Sequence, residues 1–233
     1  TADLSPLAPL FAFGAPDMTS KLPLHGAAQM RFDAQALALD AIEVDVAGTR
    51  ATGSLTRALS GAISGALKLD RLSAPDLAAL ALGPPQPASV GALWPALRFA
   101  PARFELPIAD VALDVARLDL GGDIVGRDAR LRLLLAPGSL AARDLDVTLG
   151  EGRISGDVSV RRESDTALAQ ARLSAEKIDV SAPPFTTRVS GKLDVAGAGS
   201  SMAELVASLA GGGRFSFDDA RIAAASPDAL AKV

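Results

Sequence analysis

The stretch Glu43-Val-Asp-Val-Ala-Gly-Thr-Arg-Ala-Thr-Gly-Ser-Leu55 decides the fold, because its pattern returns at Asp146-Val-Thr-Leu-Gly-Glu-Gly-Arg-Ile-Ser-Gly-Asp-Val158. Val44 answers Val147, Val46 answers Leu149, Arg50 answers Arg153, Gly53 answers Gly156 and Leu55 answers Val158, at a constant offset (153 − 50 = 103). Each copy alternates apolar and polar residues, turns at a glycine, and alternates again. That is a hairpin with one apolar and one polar face. Beyond the glycines the match needs an insertion: Leu67 answers Leu173 and Leu72 answers Ile178, at offset 106 (173 − 67). The pair therefore reads as a recurring β module.

Working outward, the same alternation fills the chain. It begins near Ala28 and runs through Met30, Phe32 and Ala34 to Leu37 and Leu39, then resumes at Ala62, Leu67 and Leu69. From Arg103 it is nearly continuous. Val111, Leu113 and Val115 alternate with Ala112, Asp114 and Ala116, and a phase slip at Arg117 predicts a bulge or bend. Leu131, Leu133 and Leu135 follow, then Leu145, Val147 and Leu149, then Ile154, Val158 and Val160. Further strands are predicted at Ala167–Ala175, Lys177–Val180, Arg188–Val195 and Arg214–Phe217. Turns at this density leave no room for α/β alternation.

Two helices carry start signals. Ser73-Ala-Pro-Asp76 opens one over Leu77 to Leu82, stopped by Gly83-Pro-Pro. Ser201-Met-Ala-Glu204 is a capping box, followed by Leu205, Val206 and Leu209, with Gly211-Gly-Gly213 read as the stop. A third helix starts at Ser226. Residues 83–101 hold five prolines and read as a linker or a crossing between sheet sections. The expected architecture is mainly β: an elongated, curved, largely antiparallel sheet of repeated hairpins, groove-like or half-barrel, with two or three short helices. It divides into a first β section over 1–100 and a second over 101–233, one continuous fragment of a longer protein.

Composition narrows the chemistry. The chain has 233 residues, 49% of them hydrophobic, and its mean hydropathy is +0.28. Yet no apolar run approaches the roughly 18 residues that span a bilayer. A net charge of −4 argues against nucleic acid. There is no cysteine, which removes thiol catalysis, disulfides and thiolate metal sites and suits an oxidising compartment. His25 is the sole histidine, in a Pro-flanked stretch, so no catalytic triad or two-His metal site is readable. Asp218-Asp219 reads as a solvated strand end, and Gly197-Ala-Gly-Ser-Ser201 as a glycine approach to a helix, since it lacks the Gly-Lys-Ser/Thr of a phosphate loop. Trp94 plugs one end of the sheet or serves as an interfacial aromatic. No enzyme activity and no cofactor or metal is expected.

Residues 186–222 resemble the C-terminal signature of the AsmA family of Gram-negative bacteria. A strand ending Gly197-Ala-Gly-Ser-Ser201 leads to a helix, then Ser208-Leu-Ala-Gly-Gly-Gly213, then a strand ending Asp219-Ala-Arg-Ile222. Ala220 stands where the family often has glycine. Leu145–Gly156 and Leu22-Pro-Leu-His-Gly26 resemble further units of the same kind. The resemblance implies a periplasmic segment of an inner-membrane-anchored, bridge-like lipid-transfer protein. It would conduct phospholipid acyl chains between inner and outer membrane and support outer-membrane assembly. The candidate lining of the apolar groove is Val111, Leu113, Val115, Leu131, Leu133, Leu145, Val147, Leu149, Val158, Val160 and Leu193. The alternative is a non-transporting scaffold that binds envelope-protein partners through its edge strands. The family has no catalytic residues to carry over.

Overall fold

The computed structural model describes residues 24–46, 48–83, 94–100, 106–182 and 185–222. They form one long, curved, open sheet of eleven strands in sequential order, not closed into a barrel. The strands are β1 (Leu24–Phe32), β2 (Ala36–Val46), β3 (Thr49–Ala58), β4 (Ile63–Ser73), β5 (Ala109–Gly121), β6 (Ile124–Ala136), β7 (Ser139–Leu149), β8 (Gly152–Glu163), β9 (Thr166–Ala182), β10 (Phe185–Gly199) and β11 (Ala210–Ile222). Helix α1 (Ala74–Leu82) lies between β4 and β5, and α2 (Met202–Ala207) between β10 and β11.

Every neighbouring pair is antiparallel except β4–β5. A parallel pair needs a connection that returns the chain to the end where it started. Helix α1 begins that return and residues 94–100 are a further described part of it, while 84–93 and 101–105 of the Pro-rich stretch lie outside the described residues. The β4–β5 ladder joins Ile63 to Ala109 at one end and Ser73 to Asp119 at the other, so the sheet runs unbroken past the boundary read at 100/101.

Both helix starts form as their sequences dictate. The Ser73 hydroxyl accepts from the Asp76 N–H at 3.2 Å, and the Ser201 hydroxyl from the Glu204 N–H at 3.2 Å. The Glu204 carboxylate reaches back to the Ser200 N–H at 2.8 Å, one residue before the cap. The third helix, at Ser226, lies outside the described residues.

Three expectations are corrected. Gly211-Gly-Gly213 does not stop α2, which ends at Ala207 with Ser208 as its cap; the triplet opens β11, paired with Val195, Asp194 and Leu193. The segments 167–175 and 177–180 are one strand, β9, because Lys177 enters the left-handed region (φ 52°) and resets the alternation without ending the ladder. The slip at Arg117 is not a bulge of β5 alone. Leu69–Leu72 and Gly126–Ala129 slip with Val115–Leu118, and the three strands stay in register.

The repeat read from the sequence is a physical unit. In β2–β3 the ladder skips between Leu39 and Ile42, with Ala41 at φ 47° and Gly53 opposite Ile42. In β7–β8 it skips between Ala142 and Leu145, with Asp144 at φ 51° and Gly156 opposite Leu145. The left-handed residues keep the sequence offset (144 − 41 = 103). β9–β10 is a third copy, with Lys177 as the left-handed residue and Val189 opposite Ile178. The bulged N–H groups are satisfied across the pair: Asp144 N–H donates to the Asp157 carboxylate at 3.1 Å, and Lys177 N–H to the Ser190 hydroxyl at 3.0 Å.

The polar face carries cross-strand ion pairs. Arg132 binds Asp110 through two nitrogens at 2.6 and 2.5 Å, and Arg153 binds Asp146 in the same forked way. These guanidinium bonds hold both carboxyls below the ordinary aspartate value of 3.8. Carboxyls depressed by folding contribute stability above that value and lose it as the pH falls through it and below. Unfolding midpoints measured from pH 7 down to 3 should therefore hold steady to about pH 5 and then fall. An Asp110→Asn/Asp146→Asn double variant should show a shallower fall.

Gly53 and Gly156 sit where the neighbouring strand comes closest. A Cβ at Gly53 would meet the Ala66 carbonyl oxygen at 2.1 Å, and one at Gly156 the Arg172 oxygen at 1.9 Å. Gly156→Ala and Gly53→Ala should each lower stability by about 1–3 kcal/mol or more. Gly212→Ala, which meets nothing within 4 Å, should be nearly neutral in the same denaturant titration.

Candidate functional site

Residues opposed across a sheet point to the same face. Followed strand by strand, the register traces one row through the whole sheet: Met30, Leu39, Leu55, Gly65, Val111, Leu133, Ala142, Val158, Ala171, Val195 and Gly211. No polar side chain interrupts it. A parallel row joins Ile42, Gly53, Leu67, Leu113 and Leu131, and another joins Leu145, Gly156, Leu173, Leu193 and Gly213. The left-handed residues make this possible, because each skips one residue and returns the next apolar side chain to the same face.

This face is covered unevenly. Over β2 to β8 it is packed. Val111, Leu113, Val115, Leu131, Leu133, Val147 and Val160 of the candidate lining are buried, and they share one core with Leu77, Ala81 and Leu82 of α1. Leu145, Leu149, Val158 and Leu193 are half-buried. The lining residues thus fall on one face, but most lie under α1 and their neighbours rather than along an open surface.

Arg162 fastens this cover. It stands opposite Ala167, itself fully buried, at the end of β8. Its guanidinium donates to four backbone carbonyls: Leu82 at 3.0 Å, Ala100 at 2.5 Å, Phe99 at 3.2 Å and Ser164 at 2.9 Å. No described carboxylate pairs with it. The end of α1 and the crossing are thereby tied to the β8–β9 turn. The crossing continues to α2, where Phe99 N–H donates to Ser200 O at 2.8 Å and Ala203 N–H to Pro95 O at 3.0 Å. Nothing in the sequence marks Arg162 apart from the other strand arginines, because its role depends on a segment 60 to 80 residues away. Trp94 sits at this junction, 47% exposed.

Helix α2 covers only the corner of the face at Gly197 and Gly199. A Cβ at Gly199 would strike the Leu205 nitrogen at 2.3 Å, so the glycines read as an approach to the helix serve as its bed. Past that corner the face opens. Leu173, Ile178, Val189 and Leu193 are half-buried, while Val180, Leu209, Phe215 and Phe217 are exposed, Phe217 at 65%. At the opposite end of the sheet, Met30 and Phe32 of β1 are also exposed.

The remaining candidates fall apart from this face. His25 is exposed on β1 opposite Asp45, and Asp219 lies 4.0 Å from the Arg188 guanidinium. Among the described residues no group of His, Asp or Glu is arranged to hold a metal ion, and no helix is long and apolar enough to cross a membrane. Among the described residues the arrangement presents apolar surface to water along β9 to β11, beside the packed section over β2 to β8.

No family model, curated protein or solved structure matches this chain.

The two parts of the face should respond differently to truncation. Leu133→Ala, at a side chain 1% exposed, should cost about 2–5 kcal/mol. Leu193→Ala should cost about 1 kcal/mol or less, measured by denaturant unfolding.

Proposed function

We propose that this chain is a periplasmic segment of an AsmA-like, inner-membrane-anchored lipid-transfer protein, and that phospholipid acyl chains lie on its apolar face. The observation that carries this reading is the row of apolar residues running without a polar interruption through all eleven strands, left uncovered by the described residues over β9 to β11. At roughly 3.3 Å per residue, strands of 13 to 17 residues are long enough to cradle an acyl chain. Each methylene taken out of water contributes about 0.8 kcal/mol, so such a surface retains a lipid with no head-group pocket. A surface without a specific polar contact also lets the lipid slide, as conduction towards the outer membrane requires. The packed section over β2 to β8 acts in this reading as the wall that holds the open strands in shape, and the route for lipid runs along β9 to β11.

The scaffold alternative draws on a different observation, the unpaired outer edges of β1 and β11 among the described residues. It assigns the edges, not the face, as the working surface.

Transfer of a fluorescent phospholipid between vesicles, together with native mass spectrometry of the purified chain, separates the two. On the lipid reading the wild type carries phospholipid and accelerates transfer. Leu193→Asp should cut both at least tenfold while the chain stays folded, because this side chain is half-buried and faces Gly213 on β11. Wild-type protein that binds no phospholipid, or transfer unaffected by Leu193→Asp, would sink the lipid reading and leave the scaffold.

A further inference from the structure

The outer edge of β11 has the sequence of a strand made to meet itself. Phe215 and Phe217 lie on the apolar face, opposite Gly191 and Val189, and both are exposed. Arg214, Ser216 and Asp218 alternate with them on the polar face. Across β10, Arg214 stands opposite Lys192, a like-charge pair that opposes folding. No described carboxylate pairs with Arg214. Asp218 stands opposite Arg188, whose guanidinium is turned to Asp179 at 3.3 Å, Glu151 at 3.9 Å and Asp219 at 4.0 Å. Among the described residues one cation and one anion on the same strand are thus left without partners, two residues either side of Ser216.

We propose that β11 pairs antiparallel with β11 of a second copy of this chain, about a two-fold axis at Ser216. In that register Ser216 faces Ser216 of the second copy, and Arg214 of each copy faces Asp218 of the other. Phe215 of each copy faces Phe217 of the other on the apolar side. Two ion pairs and two aromatic pairs form at once, each the symmetric image of the other, as an isologous contact requires. Opposite charges and aromatic pairs placed directly across strands are the stabilising combinations of an antiparallel ladder. β11, the edge strand among the described residues, becomes an interior position. The pairing stands independently of the lipid reading, and it would join the open apolar strips of two copies into one.

Sedimentation equilibrium of the delipidated chain tests this register. The wild type should have twice the chain mass (2 × 23.7 = 47.4 kDa). Arg214→Asp alone and Asp218→Arg alone should each be monomeric, because each places like charges across the axis twice. An equimolar mixture of the two variants, and the double exchange within one chain, should both restore the dimer. Ser216→Cys, in a chain with no other cysteine, should cross-link into a covalent dimer on mild oxidation, and it serves if the charge variants fail to fold. A monomeric wild type, single variants that remain dimeric, a mixture that stays monomeric, no Ser216→Cys cross-link, or open-ended assembly would each overturn the proposal.

Discussion

The constraint on which this structure depends is that eleven consecutive strands all send their apolar side chains to one face. An apolar face must be buried or used, since water penalises every exposed methylene. A sandwich would answer with a second sheet. This chain answers with curvature, one nine-residue helix and a crossing strap, and these cover only β2 to β8. The β4–α1–β5 connection is where that answer is made. The helix is laid on the apolar face at the start of the connection that returns the chain, so the parallel pair and the cover over the core have one cause.

Keeping strands of 9 to 17 residues one-sided needs correction along their length, because twist and bulges move the alternation off phase. Ala41, Asp144 and Lys177 make the correction by taking a left-handed conformation at equivalent points of three hairpins. The side chain is secondary at that point, since alanine, aspartate and lysine all serve. What the three share is the skipped residue; in the first two the neighbouring strand also comes so close that only glycine fits, at Gly53 and Gly156, whereas the third has Val189 at that point.

Much of this was legible in the sequence. Period-two alternation is a local signal, and it located nearly every strand and the mainly β architecture. Ser73 and Ser201 announced their helices because capping is decided within four residues. The errors occurred where a neighbour decides. The glycine triplet at 211–213 has the composition of a helix stop, but β10 makes it strand by pairing along it. Lys177 breaks the pattern as a turn would, yet the ladder to β10 carries β9 through. That the residues of the candidate lining share one face follows from alternation alone. Its burial was not readable, because α1 and the crossing reach it from a distant part of the chain, fastened by Arg162. Val189 and Phe217, among the open positions, lay in segments whose alternation was short and whose exposure depends on β11 being the last described strand.

The apolar face is graded, packed over β2 to β8 and more exposed over β9 to β11. The direct measurement is methyl-resolved NMR of the chain with a phospholipid carrying a paramagnetic doxyl group on its acyl chain. If acyl chains lie on the open strands, the methyl signals of Val189 and Leu193 are broadened while those of Val111, Leu133 and Val147 are not. Equal broadening in both groups, or none in either, would contradict it.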